Sequence, residues 1–589
     1  DLALAPRNKH GRVEASSDLV VLKPVRDGKS ARTALVEVSN RGSKFIPSYF
    51  NQATSSRMSV NNEAWFGDGL VMRKGLTIIW VGWQFDVPDN EGNLSASVPI
   101  AQKPDGEAIK GLVRSDWVVD DSTHTLKLGH RNLNGYPVTD TASAKNILTV
   151  RDGRNASRKK IPRDNWKFAQ IVENDTLFSD SHIILKGGFT SGKIYELVYQ
   201  SANPPIVGLG LGIIRDVISY AKYDKTSLFP VDKGLAAGVS QTGRFLRHFL
   251  YQGFNVDEQY RKAYDGLMIM TAGAGRGSFN HRFAQPSRDA HRYSAFFYPT
   301  DIFPFTGSTQ FDEKLWRSDG LFAHMPDSTF HPKTFYINTG YEYWGRAASL
   351  IHTSIDGTED IKPLPNERIY HIASGQHFVD RFPPSKENRV SGSQAFKGNP
   401  LNFKVNYRAL LVDLIEWAAD STKPPRSQYP KIKDGSLLSH RDLNLPEIPG
   451  LSAPEVIHTA HRVDYGPRWQ DGIISKQPPK VGSSYPSKVS QLDEAGNETA
   501  GIKNVAIRAP LATYLPWSKR YNKPANTEEI DDFRGLFVPL PLTNSVKQKR
   551  GDGRPSVQER YQSKDDYMNE VRRATRVLQH QRFLLEEDV

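Results

Sequence analysis

GLAAGVSQTGRF, residues Gly234–Phe245, passes from small apolar residues into Gly-Val-Ser-Gln-Thr-Gly and then into an amphipathic stretch. Leu235 to Ala237 reads as a short buried strand, and Gln241 to Tyr251 as a helix with Phe245, Phe249 and Leu250 inward. Ser240 then stands on a sharp strand-to-helix turn. Such a turn exposes a serine hydroxyl and needs small residues two before and two after it, where the backbones pack. Gly238 fills the first place. Thr242 fills the second, where the G-x-S-x-G pattern has glycine, and it fits if its side chain turns outward. A serine hydroxyl is a weak nucleophile until a base takes its proton, and the positive end of the following helix favours negative charge beside it. On the motif alone, an ordinary glycine-rich connection explains the stretch equally well.

The flanking sequence supplies a frame. Ala34 to Val38 (ALVEV) is a short apolar strand before the turn signal Ser39-Asn40-Arg41-Gly42, and Leu76 to Trp83 (LTIIWVGW) reads as a buried strand. Gly208 to Asp224 is a glycine-entered helix with Ile213, Ile214, Val217 and Ile218 on one face. Tyr264 to Ala272, Phe335 to Asn338 and Arg368 to Ala373 are further strands, with a helix over Gly345 to His352 and an amphipathic helix over Tyr407 to Ala419. Strand alternating with helix predicts an α/β fold with a mainly parallel sheet. We expect residues 1–90 to form an N-terminal arm and the first strands. Residues 91–205 read as an inserted β-rich module, including Gly111 to Val119, His182 to Leu185 and Ile194 to Gln200. Residues 206–420 read as the core, with a cap segment near 276–330. Residues 421–589 read as a C-terminal accessory region, with a capping box at Ser556–Glu559 and a helix over Tyr567 to Leu585.

Chain order favours the nucleophile. Downstream of Ser240, FYIN is followed by Thr339-Gly340-Tyr341-Glu342, and RIYHIA by Ser374-Gly375-Gln376-His377. Serine, acid and histidine, each after its own strand, is the order of the α/β-hydrolase triad. All three fall at the carboxyl edge of one parallel sheet, where sites of such folds form. His377 is then the general base and acid. Glu342, read as a turn residue, orients it; its bland alternative is an ion pair with Arg346. Asp265 is the fallback acid and Asp356 a weaker one. His371 reads as core and His248 as structural. The Gln241 N–H would serve the oxyanion, with Asn40 or Arg41 supplying the second donor.

The residues GWQFD (82–86), GLGLGIIRD (208–216), GVSQTGRFLR (238–247), RGSFNHRFAQPSRD (276–289), TGYEYWGRAASLIHT (339–353), SGQHF (374–378), VDYGPR (463–468), DEAGNETAGIK (493–503), APLATYLPW (509–517) and GDGRPSVQERY (551–561) carry a resemblance over most of the chain. The chain resembles a family of large bacterial alpha/beta hydrolase domain proteins. The resemblance implies the α/β-hydrolase fold and a Ser-Glu-His triad on Ser240, Glu342 and His377. It supplies no substrate.

Composition narrows the partners. At 589 residues the chain calls for two or three structural units. It has no cysteine, so disulfides, thiolate metal sites and cysteine nucleophiles are excluded. The net charge of +12 is spread without a basic tract, the densest group being Lys547 to Arg550, which gives nucleic-acid binding little support and leaves room for an anionic ester or acidic glycan. No apolar run reaches about 18 residues, so no membrane span is expected. No phosphate- or dinucleotide-binding glycine motif follows a strand, and no cofactor is expected. Neither His281 with His291 nor Asp493 to Asn497 has metal-site spacing. A chain beginning at Asp1 suggests a removed leader and a periplasmic or secreted protein. Arg282, His281 and Arg288 are candidates to meet a substrate anion. Trp83 and Gln84 are candidate wall residues, and Trp344 with Tyr293 to Phe305 a candidate apolar cap. The expected activity is carboxylic ester hydrolysis through an acyl-enzyme. The alternatives are an amidase, lactonase or carbon–carbon bond hydrolase with the same triad, or a silent glycan-binding protein on this scaffold.

Overall fold

Seven strands form the central sheet: β1 (Leu19–Leu22), β2 (Thr33–Val38), β3 (Thr77–Val81), β4 (Lys233–Val239), β5 (Gly266–Met270), β6 (Lys333–Thr339) and β7 (Glu367–Ile372). Their spatial order is β7-β6-β5-β4-β2-β3-β1, parallel throughout except β1, which runs against β3. The computed structural model describes every residue except 1, 25–31, 55–61, 91, 131–132, 155, 289–296, 385–395 and 521–528. The short apolar runs become central strands because both sheet faces are covered. Along β4, Ala236 faces one core while Leu235, Ala237 and Val239 face the other. The first core receives α1 (Leu209–Tyr223) and α2 (Gln241–Tyr251) through Ile214, Ile218, Phe245 and Phe249. The second receives α4 (Lys404–Asp420) and α5 (Lys564–His580) through Tyr407, Leu410, Leu414 and Leu578. Each such fully buried side chain contributes about 1.5–3 kcal/mol.

Glu37, fully buried in β2, anchors the loop that follows. Its carboxylate accepts the N–H groups of Phe45 (2.6 Å) and Ile46 (2.8 Å) and the indole N–H of Trp80 (2.8 Å). Burial pushes its pKa up to about 8 despite these donors. The loop 39–45 is thereby held against the carboxyl edge of β2.

Residues 110–202 build a four-stranded and a three-stranded antiparallel sheet around a separate core that includes Trp166, Phe168, Tyr195 and Tyr199. The expected short strand at His182 belongs to the 15-residue strand Asp175–Phe189. Residues 421–589 share cores with the central sheet: Phe583 and Leu584 pack with Tyr370 and Ile372, and Trp517 with Trp344. Ile502 bridges Ile372 beside β7. The helix expected over Gly345 to His352 lies elsewhere. α3 spans Gly340–Gly345, and Ala348–Ile351 is a single 3₁₀ turn, because a capping box starts the helix at Thr339. Among the described residues, no helix is long and apolar enough to cross a membrane.

Candidate active site

β4 ends at Val239 and α2 begins at Gln241, leaving Ser240 alone in the turn with φ 56° and ψ −109°. A non-glycine residue there is strained, and the strain is held by packing on both sides. A Cβ at Gly238 would lie 2.4 Å from the Thr242 carbonyl oxygen, and one at Gly243 2.8 Å from that of Met270. Thr242 does not turn outward as its size suggested. It is buried and turned inward, where its hydroxyl accepts from Val239 N–H (2.9 Å) and donates to Val239 C=O (3.2 Å). The hydroxyl satisfies backbone groups at the turn that glycine would leave to other partners.

His377 Nε2 lies 3.0 Å from Ser240 Oγ, and His377 Nδ1 lies 2.5 Å from Glu342 Oε1. The carboxylate fixes the tautomer: Nδ1–H donates to Glu342, which leaves Nε2 to accept the serine proton. Glu342 is fully buried at the third position of α3 rather than in a turn. Its other oxygen, Oε2, accepts the Thr339 N–H (2.8 Å) and hydroxyl (2.5 Å) in the capping box. The expected alternative, an ion pair with Arg346, is absent; Arg346 meets Glu342 through the backbone, donating its N–H to Glu342 C=O (3.0 Å). Asp265 precedes β5 and so sits at the opposite sheet edge from Ser240, bonded to Lys222 (2.9 Å) and Gly234 N–H (2.9 Å). Asp356 closes a surface turn with Ser354 and Thr358. His371 is fully buried against Glu498 (2.9 Å), and His248 bonds Asn280 (3.0 Å) with its pKa pushed down to about 3 by burial.

β2 lies next to β4, which brings the loop after β2 to the turn. Asn40 donates its side-chain N–H to Val239 C=O (3.1 Å). Among the described residues, the backbone N–H groups of Asn40 and Gln241 donate to no protein group. The Arg41 N–H is already used, on Gln84 Oε1 (2.8 Å), which removes Arg41 as an amide donor to the site. Gln84 is buried, and its amide spans the two loops: Oε1 accepts from Arg41 and Nε2 donates to Gln241 Oε1 (2.9 Å). Gln241 Nε2 then donates to the carbonyls of Pro286 (2.9 Å) and Arg288 (3.1 Å). The backbone N–H at one end and the two carbonyls at the other force both amide orientations. The Gln84 amide is thus committed to tying the loop after β2 to the start of α2. Gln84→Ala would leave Gln241 Oε1 buried and unpaired, at about 1–3 kcal/mol, and take the partner from the half-buried Arg41 N–H. We expect kcat to fall about tenfold with KM nearly unchanged, together with a lower denaturant midpoint; an unaltered kcat would remove this role from Gln84.

The aromatic candidates are core. Trp83 bonds Ser39 C=O (2.9 Å) and packs on Phe245 and Phe279 beneath α2, and Trp344 packs on Trp517. Of the anion candidates, Arg288 is paired with Asp116, and burial drives His281 down to about 3, leaving it neutral. Arg282 is half-buried in the same segment. Asp289, His291 and Tyr293 to Phe296 lie outside the described residues, while Phe297, Phe303 and Phe305 are buried. Asp493 Oδ1 accepts the N–H groups of Ala495 and Asn497, an ordinary turn. No group of three metal-ligating side chains occurs among the described residues.

Sequence reasoning missed the residues that hold His377. Its N–H donates to Phe533 C=O (3.3 Å), and its ring packs against Phe533 with centroids 4.6 Å apart and against Tyr341 at 5.6 Å. Ser374, at φ 62°, is clamped by Glu498: its N–H donates to the carboxylate (2.5 Å), and its hydroxyl accepts the Glu498 N–H (2.9 Å). Gln376 accepts from Gly535 N–H (2.8 Å). The Thr339-x-x-Glu342 capping signal was present in the sequence; nothing local marked Phe533 or Glu498.

Residues 131–589 match the alpha/beta hydrolase domain family. The chain belongs to that family. β1, β2, β3 and Asn40 lie before the matched range, and it is the structure that joins them to the sheet of this alpha/beta hydrolase. No curated protein and no solved structure matches the chain.

Proposed function

We propose that this alpha/beta hydrolase is a serine esterase acting through an acyl-enzyme on Ser240. One observation carries the reading: Ser240, His377 and Glu342 form a continuous hydrogen-bonded relay at a strained strand-to-helix turn. Ser240 Oγ attacks the ester carbonyl carbon while its proton passes to His377 Nε2. The carbonyl oxygen becomes an oxyanion held by the N–H groups of Gln241 and Asn40, at the positive end of α2. The intermediate collapses, the carbon–alkoxide bond breaks and the alcohol leaves with the proton from His377. Water, deprotonated by His377, then releases the acid and restores Ser240. Glu342 stabilises the imidazolium formed in each half. In this reading residues 91–205 are an insertion and 421–589 an accessory region that buttresses His377 through Phe533.

A fluorophosphonate probe is expected to label one residue, Ser240, as located by peptide mass spectrometry. p-Nitrophenyl esters of graded acyl length are expected to be turned over, and the corresponding anilides more slowly. Folded protein that neither labels nor hydrolyses any ester would show the reading to be wrong.

A further inference from the structure

We propose that Arg346 recognises a carboxylate on the substrate, so that the ester cleaved at Ser240 is an acidic one. The inference rests on the serine-hydrolase reading and names the substrate class of the same site. Arg346 directly follows α3, one turn beyond Glu342. Its carbonyl accepts the Ala274 N–H (3.0 Å), in the loop after β5, and a Cβ on Gly273 would lie 2.4 Å from the Arg346 Cβ. The residue is thus wedged at the carboxyl edge of the sheet, between the strands on either side of it. Its guanidinium carbon lies 5.3 Å from the Phe533 ring centroid, and that ring packs 4.6 Å from His377. The two distances together cap the separation of guanidinium and imidazole at about 10 Å.

The charge on Arg346 is what calls for a ligand. The side chain is 2% exposed, yet among the described residues its guanidinium donates only to Gly345 C=O, through Nη1 (3.0 Å). Nε is buried without a partner, and no described carboxylate is within ion-pair reach. The acids around it are engaged elsewhere. Glu342 serves His377 and Thr339; Asp301, whose carboxyl is held low despite its burial by His458 and, to a lesser degree, by Arg346, accepts from His458 Nε2 (2.6 Å) and makes no ion pair with Arg346. Other buried arginines have two or more acceptors, although Arg276, like Arg346, keeps its Nε unpartnered and meets no described carboxylate. Arg247 donates to the carbonyls of Gly275, Ala274 and Phe305, Arg276 to those of Ile302 and Phe303, Arg408 is paired with Asp68 and Asp588, and Arg554 with Asp552. A buried cation with no hydrogen-bonded anion is only partly compensated. A substrate carboxylate, which can take two parallel N–H donors from a guanidinium, completes that compensation on binding.

The test compares charged and neutral esters of matched shape on the full chain. One pair carries the charge on the acyl side (mono-p-nitrophenyl adipate against its methyl ester). The other carries it on the leaving group (3-carboxyphenyl butyrate against 3-carbamoylphenyl butyrate). Wild type is expected to favour the acid in at least one pair by about 10- to 100-fold in kcat/KM, the worth of a hydrogen bond to a charged group. Arg346→Met is expected to abolish that preference while changing the neutral ester less than about threefold. Arg346→Lys, which keeps the charge without the planar fork, is expected to retain part of it and serves if the methionine variant misfolds. Adipate should also slow fluorophosphonate labelling of wild type and not of Arg346→Met. No preference in either pair, or one that survives Arg346→Met, overturns the proposal. Hydrolysis in Ser240→Ala within tenfold of the wild-type rate overturns the serine-hydrolase reading instead.

Discussion

Ser240→Ala is expected to fold like the parent and to lose turnover of an activated ester by about four orders of magnitude or more, measured as kcat against thermal midpoint. The stability half follows from the turn. Alanine keeps the Cβ, so the cost of φ 56° at this position is unchanged, and the hydroxyl's hydrogen bond is to a partly exposed His377. The change in unfolding free energy should stay within about 1 kcal/mol. The activity half follows from the relay. Without Oγ there is no acyl-enzyme, and His377 can act only on water. The N–H groups of Gln241 and Asn40 would still polarise a bound carbonyl, so a small residual rate above background is expected. A variant within tenfold of wild type would mean that another nucleophile, or water alone, performs the reaction.

The sheet was legible because its strands are buried on both faces. LMIM at Leu267 to Met270 and FYIN at Phe335 to Asn338 had to be apolar runs, and turn residues mark their ends. The relay was legible for a related reason: Ser240, Glu342 and His377 each follow a strand, and strand ends of a parallel sheet share an edge. The same logic rejects Asp265, which precedes its strand and so falls at the far edge; proximity to a strand was read without its direction. Thr242 was misjudged because size was weighed and hydrogen bonding was not. A hydroxyl turned inward can bond both the N–H and C=O of Val239, which favours the buried rotamer. Trp83 lies where a wall residue would and Trp344 where a cap residue would, but an aromatic near a strand end can equally fill the core beneath it, and pattern does not separate the two. Phe533, Gly535 and Glu498 reach His377 and its loop from more than a hundred residues away in sequence. Only tertiary packing brings them there.

Glu342→Gln is expected to separate the two functions of one carboxylate. Oε1 accepts from His377, and Oε2 accepts twice from Thr339, so both oxygens act only as acceptors. An amide has one oxygen to offer. If it stays with Thr339, the NH₂ group faces His377 Nδ1 and selects the tautomer with the proton on Nε2. That nitrogen then points a donor at Ser240 and cannot take its proton, so kcat should fall about 10³- to 10⁴-fold at nearly constant thermal midpoint. If the oxygen instead turns to His377, the NH₂ group is pressed against the Thr339 N–H, and two donors meet in a fully buried pocket. The capping box is then lost at about 1–3 kcal/mol, with a smaller loss of rate. Steady-state kinetics and thermal unfolding of one protein therefore report which contact the amide keeps. Glu342→Ala should show both losses at once. A glutamine variant with kcat within tenfold of wild type and an unchanged midpoint would leave neither contact with a role, and the acid of the relay would have to be sought elsewhere.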